Sequence, residues 1–70
     1  MQVLVFKTNL TNILHIHIVE PYLAAHPHIQ RWNVDLQDCD NILRIETEQL
    51  KGSEVENILS QAGYYCEELE

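Results

Sequence analysis

The sequence predicts an α+β fold of element order β-α-β-β-α-β, and three observations carry that prediction. Short runs rich in β-branched, aromatic or alternating apolar residues fall at residues 2–7, 29–37, 42–48 and 64–69. Two stretches, residues 12–25 and 53–62, place apolar residues at helical spacing. Turn chemistry separates the second strand from the third, at Asp38-Cys39-Asp40-Asn41. With right-handed crossovers this order closes into a split βαβ sandwich of the ferredoxin-like kind, two helices on one face of a four-stranded antiparallel sheet. Seventy residues make one domain, residues 1–70.

The first strand, Gln-Val-Leu-Val-Phe-Lys, is apolar on both faces and belongs in the middle of a sheet. Thr11 is placed to cap the helix that follows. In that helix Ile16, Val19 and Leu23 recur at helical spacing together with Ile13 and Leu14. The alternation His15-Ile16-His17-Ile18 also fits a strand, and Pro21 predicts a kink, because it removes one hydrogen bond and crowds the carbonyl of His17. His26-Pro27-His28 ends the helix, since a residue before proline is pushed out of the α region. Trp32, Val34 and Leu36 alternate with Arg31, Asn33 and Asp35, the pattern of a strand with one solvated face. Ser53 followed by Glu56 has capping-box spacing at the start of the second helix. Val55, Ile58, Leu59 and Ala62 form its apolar stripe, and Gly63 ends it as a left-handed C-cap.

Eleven Asp and Glu against four Lys and Arg give a net charge of −7. This balance argues against nucleic acid and anionic membrane surfaces, which need clustered cations, and suits a basic partner surface. There is no signal-peptide pattern and no apolar run approaching the roughly 20 residues of a bilayer span, so the expected location is cytoplasmic. Cys39 and Cys66 then read as free thiols, with a disulfide or a pair of soft metal ligands as the other readings.

At this point the chain resembles the heavy-metal-associated (HMA) domain of copper chaperones and metal-transporting ATPases. The resemblance rests on element order and length, on Leu10 where that family carries a Met before its metal loop, on the stripe Ile16, Val19, Leu23, and on Gln61-Ala62-Gly63-Tyr64, similar to the Gly-Tyr that ends the family's second helix. It implies a metal loop after the first strand. The family's Cys-x-x-Cys, which holds a soft ion between two thiolates, falls here on Asn12 and His15. Asn is a poor transition-metal ligand, and His prefers zinc, copper(II) or nickel to linearly bound copper(I).

The candidate metal set is accordingly Asn12, His15 and Cys39, the last from the central hairpin that the fold brings to the same end of the sheet, with Asp38, Asp40 and Cys66 nearby. On a helix His15 and His17 diverge by about 200° and cannot share an ion. His26 and His28 are either a weak metal pair or partners of the helix dipole. Trp32 is core or an interaction anchor, and of Tyr64 and Tyr65 one packs while the other faces out, which makes Trp32 and Tyr65 the candidate interaction residues. No nucleophile–base pair, phosphate loop or acid–base pair is present, so an enzyme is not expected. Two functions follow. The favoured one is a non-catalytic protein-interaction module that binds a protein partner or itself without metal. The alternative is a metallochaperone-like protein using His15 with Cys39 for zinc, copper(II) or nickel.

Overall fold

Strand β1 (Gln2–Thr8) lies in the interior of the sheet, as its two apolar faces require. The computed structural model describes residues 2–69. It runs from β1 through α1 (Ile13–Ala24), β2 (Arg31–Asp35), β3 (Ile42–Thr47) and α2 (Gly52–Gln61) to β4 (Cys66–Glu68). The strands form one antiparallel sheet of order β2-β3-β1-β4. Leu4 pairs with Ile45 and Phe6 with Leu43 across β1 and β3, so their apolar side chains share one face. Val19 and Leu23 of α1 and Val55 and Leu59 of α2 pack with them in the core, together with Leu10 and Leu50 from the connections. The architecture is the expected ferredoxin-like sandwich.

Two buried threonines close the ends of the β1–β3 ladder in the same way. Thr8 Oγ1 donates to the Asn41 carbonyl (2.6 Å) and accepts the Leu10 N–H (3.2 Å). Thr47 Oγ1 donates to the His28 carbonyl (2.6 Å) and accepts the Leu50 N–H (3.2 Å). Each hydroxyl thus serves as donor and acceptor, and no buried side-chain polar atom among the described residues lacks a partner.

As expected, the helical period wins over the alternation at residues 15–18, and α1 runs on through Pro21 to Ala24. Several other expectations are corrected. The N-cap of α1 is Asn12 rather than Thr11: Asn12 is extended (φ −155°) and its Oδ1 accepts the His15 N–H at 3.2 Å. Ile13 and Leu14, read as part of the buried stripe, are 57 % and 67 % exposed; α1 is apolar all round and buries Val19 and Leu23. Helix α2 begins one residue before Ser53, with Lys51 as N-cap. Glu54 accepts the Lys51 N–H at 2.8 Å, half of a capping box, since a lysine side chain has no acceptor to complete it. The carboxylate of Glu68 fills the place a side chain at Gly52 would take.

Helix α2 ends as expected, with Gly63 at φ +91°. The Tyr64 N–H bonds Leu59 O (2.9 Å) and the Gly63 N–H bonds Ser60 O (3.0 Å), the paired bonds of a Schellman motif. Because Tyr64 completes this turn and the Tyr65 backbone bonds Asn9, β4 starts at Cys66 instead of residue 64. The outer strands are likewise shorter than their apolar patterns, β2 by two residues at each end.

Candidate functional site

The β1–α1, β2–β3 and α2–β4 connections meet at one end of the sheet, held by the backbone leaving β1. The Thr8 N–H bonds Asp40 O (3.1 Å), tying in the hairpin. Asn9 exchanges two bonds with Tyr65: its N–H reaches Tyr65 O (3.3 Å), and its Oδ1 accepts the Tyr65 N–H (2.8 Å). The His15 ring lies against Tyr64, with ring centroids 5.0 Å apart and planes tilted by 48°.

Within this end, Asn12 and His15 satisfy backbone donors at the start of α1. Asn12 Oδ1 takes the His15 N–H, and His15 Nδ1 takes the Thr11 N–H at 3.0 Å. The arrangement is close to a capping box, but the imidazole takes the N–H of Thr11, one residue before the N-cap, in place of the N–H of Asn12. A nitrogen that accepts a hydrogen bond carries no proton, so the neutral ring holds its proton on Nε2. The Asn12 amide nitrogen, 3.5 Å from Nε2, is then a donor facing a donor and adds no bond. A metal on Nε2 would require the proton to move to Nδ1, against the Thr11 N–H. Asn12 Oδ1 is already engaged, and no thiolate stands at either position. This donor set does not fit the soft ion that a Cys-x-x-Cys loop holds.

The other metal candidates are placed as follows. Among the described residues, the group of three or more His, Cys, Asp or Glu side chains whose ligand atoms come together is Asp38-Cys39-Asp40, within 4.8 Å of one another, and His15 is not part of it. Asp38 Oδ1 accepts the Asp40 N–H (2.9 Å) as an Asx turn, and Asp40 lies 3.9 Å from Lys7 Nζ. Asn41 completes the turn at φ 49°, a conformation Asn tolerates. Cys39 is an exposed free thiol. Cys66 is buried opposite Thr8; burial pushes its thiol up to about 12, and the Glu56 carboxylate acts in the same direction. Such a buried, protonated thiol is a poor nucleophile at neutral pH.

His17 points away from His15 toward Glu20 (4.0 Å). His26 Nδ1 accepts the His28 N–H (3.2 Å), a turn bond like that of His15. Trp32 is half-buried and packs against the core, whereas the Tyr65 side chain is exposed. The feature that sequence reasoning missed is the outward side of α1, where Leu14, Ile18 and Tyr22 stand exposed at four-residue intervals. The signal was there: a helix apolar on every side has more apolar surface than one core can cover.

No family model and no curated protein matches the chain. Solved structures do. The copper(I)-loaded first domain of the human copper chaperone for SOD1 is 23 % identical, with a TM-score of 0.79 over 94 % of this chain and 89 % of that one. The yeast copper transporter domain Ccc2a, solved in apo and Cu(I)-loaded states, is 14 % identical, with a TM-score of 0.83 over 100 % and 97 %. Oxidized MerP from Ralstonia metallidurans is 10 % identical, with a TM-score of 0.82 over 99 % and 97 %. The chain has the copper-chaperone-like fold of heavy-metal-associated domains.

Proposed function

We propose that this chain is a non-catalytic protein-interaction domain in which the metal loop of the fold has become a helix cap. The observation that carries this reading is the pair Asn12–His15: at the two ligand positions, the Asn12 oxygen and the His15 Nδ1 are spent on backbone N–H groups. The exposed apolar side of α1 supports it, since such a surface on a small acidic domain is a contact surface. Protein docking is also known for the fold, in the complex of Atx1, Cu(I) and Ccc2a.

The competing reading is a metallochaperone-like protein that binds zinc, copper(II) or nickel through His15 with Cys39. The copper(I)-loaded neighbours favour it. Thermal melting of the chelator-stripped protein, with and without stoichiometric zinc, copper(I), copper(II) or nickel, separates the two. A metal at about 100 times its Kd adds about 2.7 kcal/mol, which in a domain of this size raises Tm by roughly 10 °C or more. The interaction reading predicts no selective rise. A rise with one metal, lost in His15→Ala, would establish the competing reading.

A further inference from the structure

We infer that the free edge of β2 pairs antiparallel with β2 of a second copy of this chain, so that two four-stranded sheets join into one. The inference rests on the interaction-domain reading and names its partner and surface. The sheet has two edges, β2 and β4. Strand β4 is three residues long, and the Glu56 carboxylate covers its Glu68 N–H (3.3 Å). Strand β2 is five residues long, and the ladder shows which of its backbone groups are spare. The bonds from the Leu69 N–H to Val5 O (2.8 Å) and from the Asn9 N–H to Tyr65 O (3.3 Å) turn Val5 and Asn9 toward β4, and hence Leu4 and Phe6 toward β3. The same alternation turns Arg44 and Glu46 toward Asn33 and Arg31, and leaves the N–H and C=O of Trp32 and Val34 on the free edge. Among the described residues, no side chain or connection bonds these groups.

The residues of this edge select its occupant. Arg31-Trp32-Asn33-Val34-Asp35 is complementary to its own reverse. With Asn33 opposite Asn33 of the second copy, Trp32 and Val34 of each chain exchange N–H···O bonds with Val34 and Trp32 of the other. That register sets Arg31 of each copy opposite Asp35 of the other on the outer face, and Trp32 opposite Val34 on the core side. The Arg31 side chain is 78 % exposed with Glu46 at 4.0 Å, and Asp35 holds the Gln37 N–H (3.0 Å) through one carboxylate oxygen, leaving the second free. Any other register that keeps the backbone bonds loses both charge pairs. Strand addition draws its affinity from main-chain bonds and its choice of partner from side chains, so it does not need the area of a flat interface. The net charge of −7 is carried mainly away from this edge. On β2 and β3, Arg31 and Arg44 balance Asp35 and Glu46. Glu54, Glu56, Glu67 and Glu68 belong to α2 and β4, and the two β4 strands become the outermost of the joined sheet. At about 4.8 Å per strand those edges stand roughly 34 Å apart, several times the Debye length of about 8 Å at physiological salt.

Sedimentation velocity of the full chain over about two decades of concentration, reaching about 1 mM, tests this. The expected result is a reversible monomer–dimer equilibrium, with amide exchange at Trp32 and Val34 slower in the concentrated sample. Arg31→Glu and Asp35→Lys, checked for fold by circular dichroism, should each weaken the dimer at least about fivefold, since like charges then face each other twice. Asp35→Lys should do so although it makes the chain less acidic. Mixed in equal amounts, the two variants should pair again, because the substituted positions then meet with opposite charge. Val34→Pro removes an edge N–H that β3 does not use and should abolish the dimer. Leu14→Gln, at an exposed position on α1, should leave it unchanged. A monomer throughout, a dimer strengthened by Asp35→Lys, no recovery in the mixture, or equal loss in Leu14→Gln overturns the inference. A monomer leaves the interaction reading standing, whereas failure of that reading shows separately, as a selective metal-induced rise in Tm.

Discussion

Asn12 and His15 could be located from the sequence but not understood from it. Their spacing put them on the ligand positions of the resembled family, and the side chains there argued for a harder ion than copper(I) or for none. That His15 Nδ1 is consumed by the Thr11 N–H depends on the loop bending back over the ring, which no pattern of residue types encodes. Cys39 and Cys66 were likewise legible as thiols, but their difference is one of environment. Cys39 is exposed, while Cys66 is held protonated by burial and by Glu56. Cys66 therefore makes stability depend on alkaline pH. Its folded pKa, about 12, lies above the unfolded value of 9.0. Between these values the unfolded state gives up a proton that the folded state keeps, so stability is full below about pH 9 and falls as pH rises toward 12, by at most about 1.4 kcal/mol per pH unit. Urea unfolding of Cys66→Ser beside the unsubstituted chain checks this: the alkaline decline attributable to Cys66 should vanish in the variant. Thiol labelling of the native protein at pH 8 should modify Cys39 alone.

At the scale of elements, strands and helices were legible because burial writes its period into the sequence. The centre of the sheet, the hairpin turn and the Gly63 stop all follow from local chemistry. Helix starts did not, because several capping residues compete and tertiary neighbours decide among them. At α1 it is Asn12, and not Thr11, that is extended and accepts the His15 N–H, and at α2 Lys51 precedes the helix with its N–H on Glu54. Ile13 and Leu14 were read with the buried stripe of α1, and Ile18 and Tyr22 were given no role, because a helix apolar on all sides does not mark which side is covered. The cap also carries a prediction. Asn12→Ala leaves the His15 N–H to solvent and should cost about 1 kcal/mol, lowering Tm by roughly 4–8 °C. Asn12→Asp keeps the acceptor and should stay close to the parent in a thermal melt.

For the molecule as a whole, the fold of heavy-metal-associated domains persists at 10–23 % identity to solved neighbours, because its requirements are spread over the core. Leu4, Phe6, Leu43 and Ile45 on the sheet, with Val19, Leu23, Val55 and Leu59 from the helices, maintain the sandwich; the loop adds Leu10 to this core, while Asn12 stays at the surface. The loop is thus free to change its chemistry while the scaffold stays. The measurement that tests this most directly is a copper(I) competition titration of the unsubstituted chain beside the double variant Asn12→Cys, His15→Cys. The account predicts that the unsubstituted chain takes up no stoichiometric copper(I) and that the two thiolates, placed at the start of α1, restore one ion per chain. Stoichiometric uptake by the unsubstituted chain, or a folded double variant that still binds none, would contradict it.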